Sequence, residues 1–389
     1  MTRRVAIVGV GQTRHEEFRN DRVYWENDYE ATKLALEDAA LDKGQIDTVI
    51  ASGWDAVDGR TISDMHTCMA IGGYLKDSAH VGEDGIMALA YAYLRIASGQ
   101  FDTAVVSAHG HREASLERVS SVVFDPLFTR PVGANYLTSL AIQANTYAQR
   151  YGIGQETAAK VVVKNRANGA RNPYSHLKAP VTLEEVLSSG LVASPLRALD
   201  CPPESVGGVA LILATEETVK RITDKPVWIK GISWAIESYH LGSKDLSQMS
   251  SLAAAAQRAY RMAGVTRPLD ELDVAEVHEV TSYHELMAYE ALGLAEAGQG
   301  GRLMEEGATE REGKLPVNLS GGSLSTNLLG ASGLARAAEA VLQLRGEAHG
   351  RQAAGAKLAL AHGFSSLGGA ASPTNCVVIL ERGEPWVGE

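Results

Sequence analysis

Residues 274–293 read as a buried strand that passes directly into a helix, with a histidine at the junction. The opening VAEV suits a buried strand, and after Ser282 the apolar residues recur at helical spacings of three and four. His278 falls where the strand should end. A rigid strand tip is a common position for a catalytic imidazole, which polarises a carbonyl or transfers a proton. We therefore expect His278 to be catalytic, the alternative being a buried histidine that bonds a backbone carbonyl.

Other side chains at this junction also suggest chemistry. Tyr283 lies in the first turn of the expected helix, where it either donates a proton to a substrate or packs in the core. His278 and His284, with Glu279 and Glu285, have the residue types of a metal site. Their spacing is not HExxH, however, and a switch from strand to helix separates the two histidines. We expect no metal in this chain.

A second informative stretch is the glycine-rich segment 317–333, VNLSGGSLSTNLLGASG, which leads into an expected helix. Gly321 and Gly322 permit positive φ and close backbone approach, and Ser323 follows them. A loop of this kind before a helix presents free N–H groups to an oxyanion or a phosphate. The alternative is an ordinary tight connection.

Composition excludes several classes of protein. The 389 residues carry a net charge of -11, and no basic run with interleaved aromatic residues suggests a nucleic-acid partner. No apolar run approaches the roughly 20 residues of a membrane helix, and the N-terminus lacks a cleavable leader pattern. Three widely spaced cysteines argue against a disulfide framework. We expect a cytoplasmic, soluble protein.

A dinucleotide site at the N-terminus is also disfavoured. The strand RVAIVGVG ends in glycines, but the third glycine of GxGxxG would fall at Arg14, and no helix follows directly. This glycine pair is more typical of a structural turn than of nicotinamide binding.

Alternating strands and helices predict α/β layers, with ligands at the carboxyl ends of the strands. We predict helices over residues 29–42, 86–98, 141–151, 156–169, 183–189, 250–264 and 334–346. Strands are expected over residues 4–11, 46–53, 101–110, 207–214 and 272–277, while residues 112–136, with two prolines, look like a loop.

The order of these elements repeats. A helix, a glycine and a strand ending in Ala-His-Gly occur at residues 88–110 and again at residues 334–363. Such an echo suggests gene duplication. We predict an N-terminal half over residues 1–225, with an insertion at about 111–195 that covers one face, and a C-terminal half over residues 226–389.

Four collinear segments resemble the thiolase superfamily, in its sterol-carrier-protein-type branch. His278-Glu279 with EALG at 290–293 is similar to HD-x-F…E-x-L-G. Residues 317–339 resemble N-x-S-G-G…G-H-P-x-G-x-[ST]-G. Residues 358–380, LALAHGFSSLGGAASPTNCVVIL, resemble the last glycine-rich strand-loop-strand, and residues 193–214 resemble the return from the loop domain. The resemblance implies a duplicated αβαβα five-layer sandwich with an inserted loop domain that covers coenzyme A, usually as a homodimer.

This chain departs from the family at its catalytic positions. The family's nucleophilic cysteine, in C-x-S-G-x-x-A-L, aligns with Gly82, and its GHP histidine aligns with Asn327. The last catalytic cysteine is missing as well, and His362 lies nearby as either a site residue or a structural one. A covalent acyl-cysteine is therefore not expected.

The family pattern implies roles for the groups that remain. His278 would polarise a carbonyl, and Asn327 would donate to an oxyanion. A second oxyanion hole would use N–H groups at Gly82 and at Gly368 or Gly369, and Gly321, Gly322 and Ser323 would contact coenzyme A. Glu83 and Asp84 would act either as a base or at a helix N-terminus.

The leading hypothesis is an acyltransferase that cleaves or forms a carbon–carbon bond of a β-ketoacyl-CoA, in β-oxidation-type metabolism, with coenzyme A attacking directly. The resemblance extends to large subunits that pair with a small zinc-ribbon/OB-fold protein, including those acting on aromatic acylsuccinyl-CoA in anaerobic aromatic degradation. The alternatives are a retro-aldolase on a β-hydroxyacyl-CoA and an inactive scaffold subunit.

Overall fold

Strands from both halves of the chain join into one nine-stranded sheet. The computed structural model describes residues 3–17, 21–111 and 116–384. The strands are β1 Val5–Gln12, β2 Thr48–Ser52, β3 Asp77–Val81, β4 Thr103–Gly110, β5 Leu191–Ala193, β6 Leu196–Arg197, β7 Gly207–Thr215, β8 Val227–Ile236, β9 Val274–Glu276, β10 Leu358–Ser365 and β11 Thr374–Arg382. β5 and β6 form a separate hairpin.

The helices fall between these strands. They are α1 Tyr24–Asp38, α2 Asp55–Asp58, α3 Asp64–Ala70, α4 Gly85–Ala97, α5 Leu116–Val123, α6 Tyr136–Tyr151, α7 Gln155–Gly169, α8 Leu183–Ser188, α9 Glu216–Ile222, α10 Ser250–Ala263, α11 Pro268–Glu271, α12 Ser282–Ala291, α13 Gly300–Glu305, α14 Gly322–Ser325 and α15 Ser332–Arg345. The long predicted helices and strands are confirmed, with ends that differ by a few residues.

Strand order makes the duplication visible. The sheet runs β3-β2-β4-β7-β1-β8-β11-β10-β9. Outward from the middle, the first half is β1, β7, β4, β2 and β3, and the second half is β8, β11, β10 and β9. The first four strands of each half therefore correspond in order. In each half, the strand after the central helix pairs antiparallel with the last strand, as β4 does with β7 and β10 with β11. The halves meet where Ala6 pairs with Trp228 and Ile7 with Val227.

Helices form three layers around the two half-sheets. α4 and α15 pack against each other and against strands of both halves, so they make the central layer. Their apolar faces form one core with the inner sides of the strands, with Ile86, Leu89, Leu334 and Val341 fully buried. α1 and α3 cover the outer side of the first half, and α10 and α12 cover that of the second. The five-layer α/β sandwich is thereby confirmed.

Helices α5 to α8 and the β5–β6 hairpin lie between β4 and β7. The expectation of a loop over residues 112–136 is wrong in part, because α5 occupies Leu116–Val123 and buries Val119 and Ser120. Pro126 and Pro131 lie beyond this helix and do not interrupt it. The division into halves at residue 225 and the bounds of the insertion stay predictions.

No helix in residues 3–17, 21–111 and 116–384 has the length and apolar character needed to span a bilayer.

Candidate active site

His278 follows β9 and is held by two backbone contacts. The Val277 N–H donates to Asn318 Oδ1 over 2.7 Å and fixes the end of the strand. The Phe364 N–H, on β10, donates to His278 Nδ1 over 3.1 Å. Because Nδ1 accepts this bond, the ring proton of the neutral imidazole must lie on Nε2. Nε2 accepts or donates no hydrogen bond among the described residues.

The surroundings of His278 keep it uncharged. Burial, and then the neighbouring His362 and Arg336, lower the pKa of His278 well below its usual value. The ring retains 6% of its exposure. A neutral imidazole with an Nε2–H is a hydrogen-bond donor, suited to a carbonyl oxygen or an oxyanion. The neutral ring cannot readily act as a base, because its only nitrogen lone pair, on Nδ1, accepts the hydrogen bond from the Phe364 N–H.

Asp84 connects the N-termini of the two central helices. It is the N-cap of α4, with Oδ1 accepting from the Ile86 N–H, while Oδ2 accepts from the Gly333 N–H of α15; both distances are 2.9 Å. Burial raises the pKa of Asp84 to about 7. His278 Nδ1 lies 3.9 Å from Oδ2, beyond hydrogen-bond range. Since both oxygens cap helices, the helix N-terminal role predicted for Asp84 describes its geometry, and a role as base does not.

Gly82 precedes this cap and is open to its surroundings. It is exposed, and a Cβ built on it would meet no atom within 4 Å. The backbone at position 82 therefore has room for a side chain, although the residue in this protein is glycine. Glu83 turns away, accepting from the Ser365 and Thr374 hydroxyls. Burial raises the pKa of Glu83 above its usual value.

Asn327 lies on the other side of the α15 N-terminus. Its Oδ1 accepts from the Leu329 N–H over 3.1 Å and from the Ser332 hydroxyl over 2.9 Å. Both lone pairs are used, so the amide orientation is fixed and Nδ2 remains a donor. Ser332 adjoins Gly333, whose N–H donates to Asp84. Asn327 and Asp84 therefore both contact the N-terminus of α15, and His278 lies near Asp84.

The two Ala-His-Gly tripeptides hold histidines in opposite states. His362 is fully buried, its Nε2 lies 2.8 Å from Asn375 Oδ1, and burial lowers its pKa to about 4. His109 lies between Asp28 and Asp58, at 2.7 and 3.0 Å. Burial alone would lower the pKa of His109, but the two carboxylates outweigh it and raise that pKa to about 10. His362 neighbours His278, and a direct catalytic role for it stays a prediction.

Tyr283 occupies the first turn of α12, as expected, and only 1% of its surface is exposed. Burial, with Asp200 nearby, raises the pKa of Tyr283 to about 12. The hydroxyl therefore stays protonated near neutral pH, and its role as proton donor stays a prediction.

The glycines at 321 and 322 face protein groups. Gly321 has φ +97°, and a Cβ on it would lie 2.5 Å from Gly169 Cα. Gly322 has φ +60°, and a Cβ on it would lie 2.1 Å from Glu279 Oε1. Ser323 is fully buried. Protein packing alone thus requires both glycines, and contact of this segment with coenzyme A stays a prediction.

A buried polar network contacts the glycine-rich segment through Glu279. Glu279 accepts from the Leu324 N–H, from Asn165 and from Asn318, and Lys164 Nζ lies 2.9 Å from Glu285 Oε1. Burial, and then Glu285, raise the pKa of Glu279 to about 8. This network joins α7 of the insertion to α12.

Gly368 and Gly369 attach the last loop to the insertion. The Gly368 carbonyl accepts from the Ser139 hydroxyl over 2.7 Å, and its N–H donates to Ser366 Oγ. Gly369 has φ +61°, and a Cβ there would lie 2.4 Å from the Tyr136 carbonyl oxygen. A contribution of either N–H to an oxyanion hole stays a prediction.

A cavity of about 380 Å³ opens beside Asn327, and residues of the insertion form much of its wall. We name it the insertion chamber. Its lining comprises Leu116, Glu117, Asn135, Tyr136, Leu137, Thr138, Leu140, Val192, Cys201, Pro202, Glu204, Val280 and Asn327. The sequence predicted an insertion in this part of the chain, and Tyr136 and Leu137 belong to it. It did not indicate Val280 or Cys201, which reach the chamber from segments far apart in the chain.

The three cysteines do not replace the missing nucleophile. All three are free thiols. Burial raises the pKa of Cys68 to about 11 and that of Cys201 to about 12, and it also raises the pKa of Cys376. An activated nucleophile needs a lowered thiol pKa. Across the described ranges, no three His, Cys, Asp or Glu side chains gather as metal ligands do.

Known proteins share this architecture. A family model described as thiolase C-terminal domain-like matches residues 235–382. An "Acetyl-CoA acetyltransferase" of Methanothermobacter thermautotrophicus is 33% identical over 95% of this chain and 98% of its own length. The "Benzoylsuccinyl-CoA thiolase subunit BbsB" of Thauera aromatica is 29% identical over 90% of this chain and 92% of its own.

A solved structure titled "Ltp2-ChsH2(DUF35) aldolase" covers 98% of both chains with a TM-score of 0.82 and 24% identity, which shows a shared fold. The resemblance drawn from the four sequence segments is confirmed by the full-length relative and by these matches. The chain belongs to the thiolase superfamily.

Proposed function

We propose that this protein transfers the acyl group of a β-ketoacyl-CoA to coenzyme A without forming a covalent acyl-enzyme. The observation that carries the proposal is Gly82, an exposed glycine in the segment that aligns with the family's nucleophile. The relative named an acetyl-CoA acetyltransferase supports the reaction type. Binding of coenzyme A as a substrate is part of the proposal.

In the proposed reaction, coenzyme A is the nucleophile. Its thiolate attacks the β-carbonyl carbon, and the oxygen becomes an alkoxide. Collapse of the alkoxide breaks the bond between the α and β carbons and releases the enolate of the CoA thioester that keeps the α-carbon, which takes a proton from water. The products are this CoA thioester, which is acetyl-CoA when the α-carbon is unsubstituted, and the acyl-CoA formed from the β-carbonyl group. A free cysteine thiol has a pKa of about 8.5, so a thiol of that acidity is only a few per cent thiolate at neutral pH, and direct attack by coenzyme A draws on a small thiolate fraction of this kind.

The protein groups would act on the oxygens. His278 Nε2–H and Asn327 Nδ2 are the donors that support this assignment, because their other ring nitrogen and amide oxygen are occupied by protein bonds. Fixed donors stabilise an alkoxide or enolate without reorganising during the reaction. Neither group is asked to remove a proton.

Retro-aldol cleavage of a β-hydroxyacyl-CoA is the second candidate. It needs no enzyme nucleophile, which suits Gly82, and the structural neighbour is titled an aldolase. It does need a base for the hydroxyl group. Asp84 uses both oxygens as helix caps, and the raised pKa of Tyr283 disfavours a phenolate, so thiolysis is the better supported reaction.

The test is single-turnover acid quench with a β-ketoacyl-CoA labelled in its acyl group. We expect no protein-bound label. In a separate steady-state measurement, double-reciprocal plots of the initial rate should intersect, as they do when both substrates bind in a ternary complex. Gly82→Cys is the positive control: its thiol lies just before the N-terminus of α4, where thiol pKa values fall, so it should retain label. A labelled wild-type protein would refute direct attack.

The same preparation separates the two reactions. Cleavage of a β-ketoacyl-CoA should require added coenzyme A, whereas cleavage of a β-hydroxyacyl-CoA without it would favour the retro-aldolase. If neither substrate is consumed, alone or with a partner protein, the inactive scaffold is the remaining hypothesis.

Two partners complete the proposal. A second copy would cover the edge strand β3 and the exposed Tyr91, Leu94, Trp234 and Ile236 beside it. The relative named as a subunit and the neighbour titled as a two-protein aldolase support a small second protein of zinc-ribbon/OB-fold type. The prediction of an aromatic acylsuccinyl-CoA substrate finds support in the name of the Thauera relative.

A further inference from the structure

The insertion chamber is much larger than an acetyl group requires. Its volume is about 380 Å³. An engineered apolar cavity of about 150 Å³ already admits benzene. An acetyl group would therefore leave most of this chamber without contacts, while an acyl group with a ring or a long chain would fill it.

The chamber wall is mainly apolar. Leu116, Tyr136, Leu137, Leu140, Val192 and Val280 contribute to it. Two of its polar residues bind each other: Asn135 Oδ1 accepts from the Thr138 N–H over 3.0 Å, and Thr138 Oγ1 accepts from the Asn135 N–H over 2.9 Å. This capping box leaves little polar surface for a ligand. Asn327 marks the end of the chamber next to the proposed chemistry.

The charged residues of the lining are acidic. Glu117 and Glu204 contribute to it, and no Lys or Arg does so among the residues that the structure describes. Carboxylates repel an anion and offer no donor to it. An acyl group that carries its own carboxylate is therefore disfavoured, and so is the diphosphate of coenzyme A.

We infer that the insertion chamber selects a bulky, apolar and uncharged acyl group on the β-carbon of the β-ketoacyl-CoA. The inference rests on the proposed function, because it assigns the chamber to that reaction's acyl group. It is compatible with the aromatic acylsuccinyl class, because the carboxylate there belongs to the substituent on the α-carbon and the acyl group on the β-carbon is an uncharged aroyl group. The specificity-determining residues are Leu137 on α6, Val192 on β5 and Val280 after β9.

The first experiment measures binding without chemistry. Three unreactive thioethers are titrated calorimetrically against the full-length protein: S-butyl-CoA, S-(4-phenylbutyl)-CoA and S-(3-carboxypropyl)-CoA. We expect the phenyl compound to bind at least tenfold more tightly than the butyl compound, since one methylene in an apolar pocket changes discrimination by about 10- to 200-fold. The carboxylate compound should bind most weakly.

The second experiment compares kcat/KM for 3-oxo-5-phenylpentanoyl-CoA, 3-oxobutyryl-CoA and 3-oxoadipyl-CoA. Leu137→Trp narrows the chamber and should lower the value for the phenyl substrate at least tenfold while leaving 3-oxobutyryl-CoA within about twofold. Leu127→Trp, on the exposed loop of the same insertion, is the matched control. Val192→Trp, on the partly exposed hairpin, is the second variant should Leu137→Trp not fold.

The outcomes separate this inference from the proposed function. Selective thioether binding without any thiolysis supports the chamber assignment and contradicts the function. Thiolysis that is equally good with 3-oxobutyryl-CoA, or best with 3-oxoadipyl-CoA, supports the function and overturns the chamber assignment. A loss in Leu137→Trp that is the same for all three substrates would show a pantetheine channel and overturn it as well.

Discussion

One backbone hydrogen bond determines what His278 can do. The Phe364 N–H occupies Nδ1, so the ring presents a proton from Nε2, and its lowered pKa keeps it neutral. A histidine of this kind resembles an amide side chain in its chemistry: it donates and does not titrate near neutral pH. Asn327, which also donates only, is its natural counterpart.

His278→Ala tests this role. We expect kcat to fall by about 10² to 10³, the loss seen when one oxyanion donor is removed. The measurement is steady-state thiolysis, with denaturation midpoints to confirm folding. His362→Gln is the comparison, because His362 Nε2 already binds Asn375. If His362→Gln reduces kcat as much as His278→Ala without loss of stability, the assignment of His278 as the principal donor is wrong.

At the scale of elements, the site lies where α4 and α15 begin. Asp84 caps one helix and binds the first turn of the other, so the Gly82 segment and the Asn327 segment are held to each other through a single carboxyl group. The glycine-rich loop before α15 is fixed from behind by Glu279. Its glycines thus serve the positioning of the loop.

Gly322→Ala should show this dependence. The new Cβ would meet the Glu279 carboxylate at a residue with φ +60°, so we expect a loss of about 1–3 kcal/mol in the free energy of unfolding. Urea denaturation measures it. Gly350→Ala is the matched control, since a Cβ there meets nothing within 4 Å. Equal stability of the two variants would mean that the loop adjusts without strain.

Local patterns predicted the elements that carry the site. The change of period after Val277 predicted the start of α12 at Ser282. The repeated Ala-His-Gly predicted the end of β4 at Gly110, whereas β10 continues past Gly363 to Ser365. The partners of each side chain were out of reach. Phe364 and His278 are 86 positions apart, and Val280 and Leu137 line the same chamber from distant parts of the chain, so only tertiary packing brings the members of each pair together.

At the scale of the whole molecule, the sheet has one conspicuous open edge. Within the described residues β3 pairs only with β2, and apolar side chains on α4 and β8 are exposed beside it. Unpaired strand edges invite association with another chain. Together with the family's usual assembly, this supports the proposed homodimer.

Leu94→Asp tests the assembly. Leu94 lies on α4, near Trp234 and Ile236, in a cavity of about 660 Å³. A carboxylate there would be taken out of water between two copies, at a cost of several kcal/mol per ion even though Arg258 lines the same cavity, so we expect the dimer to dissociate to monomers at micromolar concentration. Light scattering after size exclusion gives the mass. Met262→Asp, also exposed but on α10, should leave the mass unchanged. A wild-type monomer would contradict the homodimer itself.

The two Ala-His-Gly tripeptides have a consequence for ancestry. After duplication, each histidine became tied to neighbours found only in its own half. His109 is a cation between Asp28 and Asp58 that offsets one of their two negative charges, so a neutral replacement would leave two buried carboxylates in mutual repulsion. His362 is neutral and bound to an amide, so its replacement changes no charge. The two tripeptides are identical in sequence but differ in how freely they can change: we expect substitution of the histidine to be tolerated more easily in the second half, beside His278, than in the first.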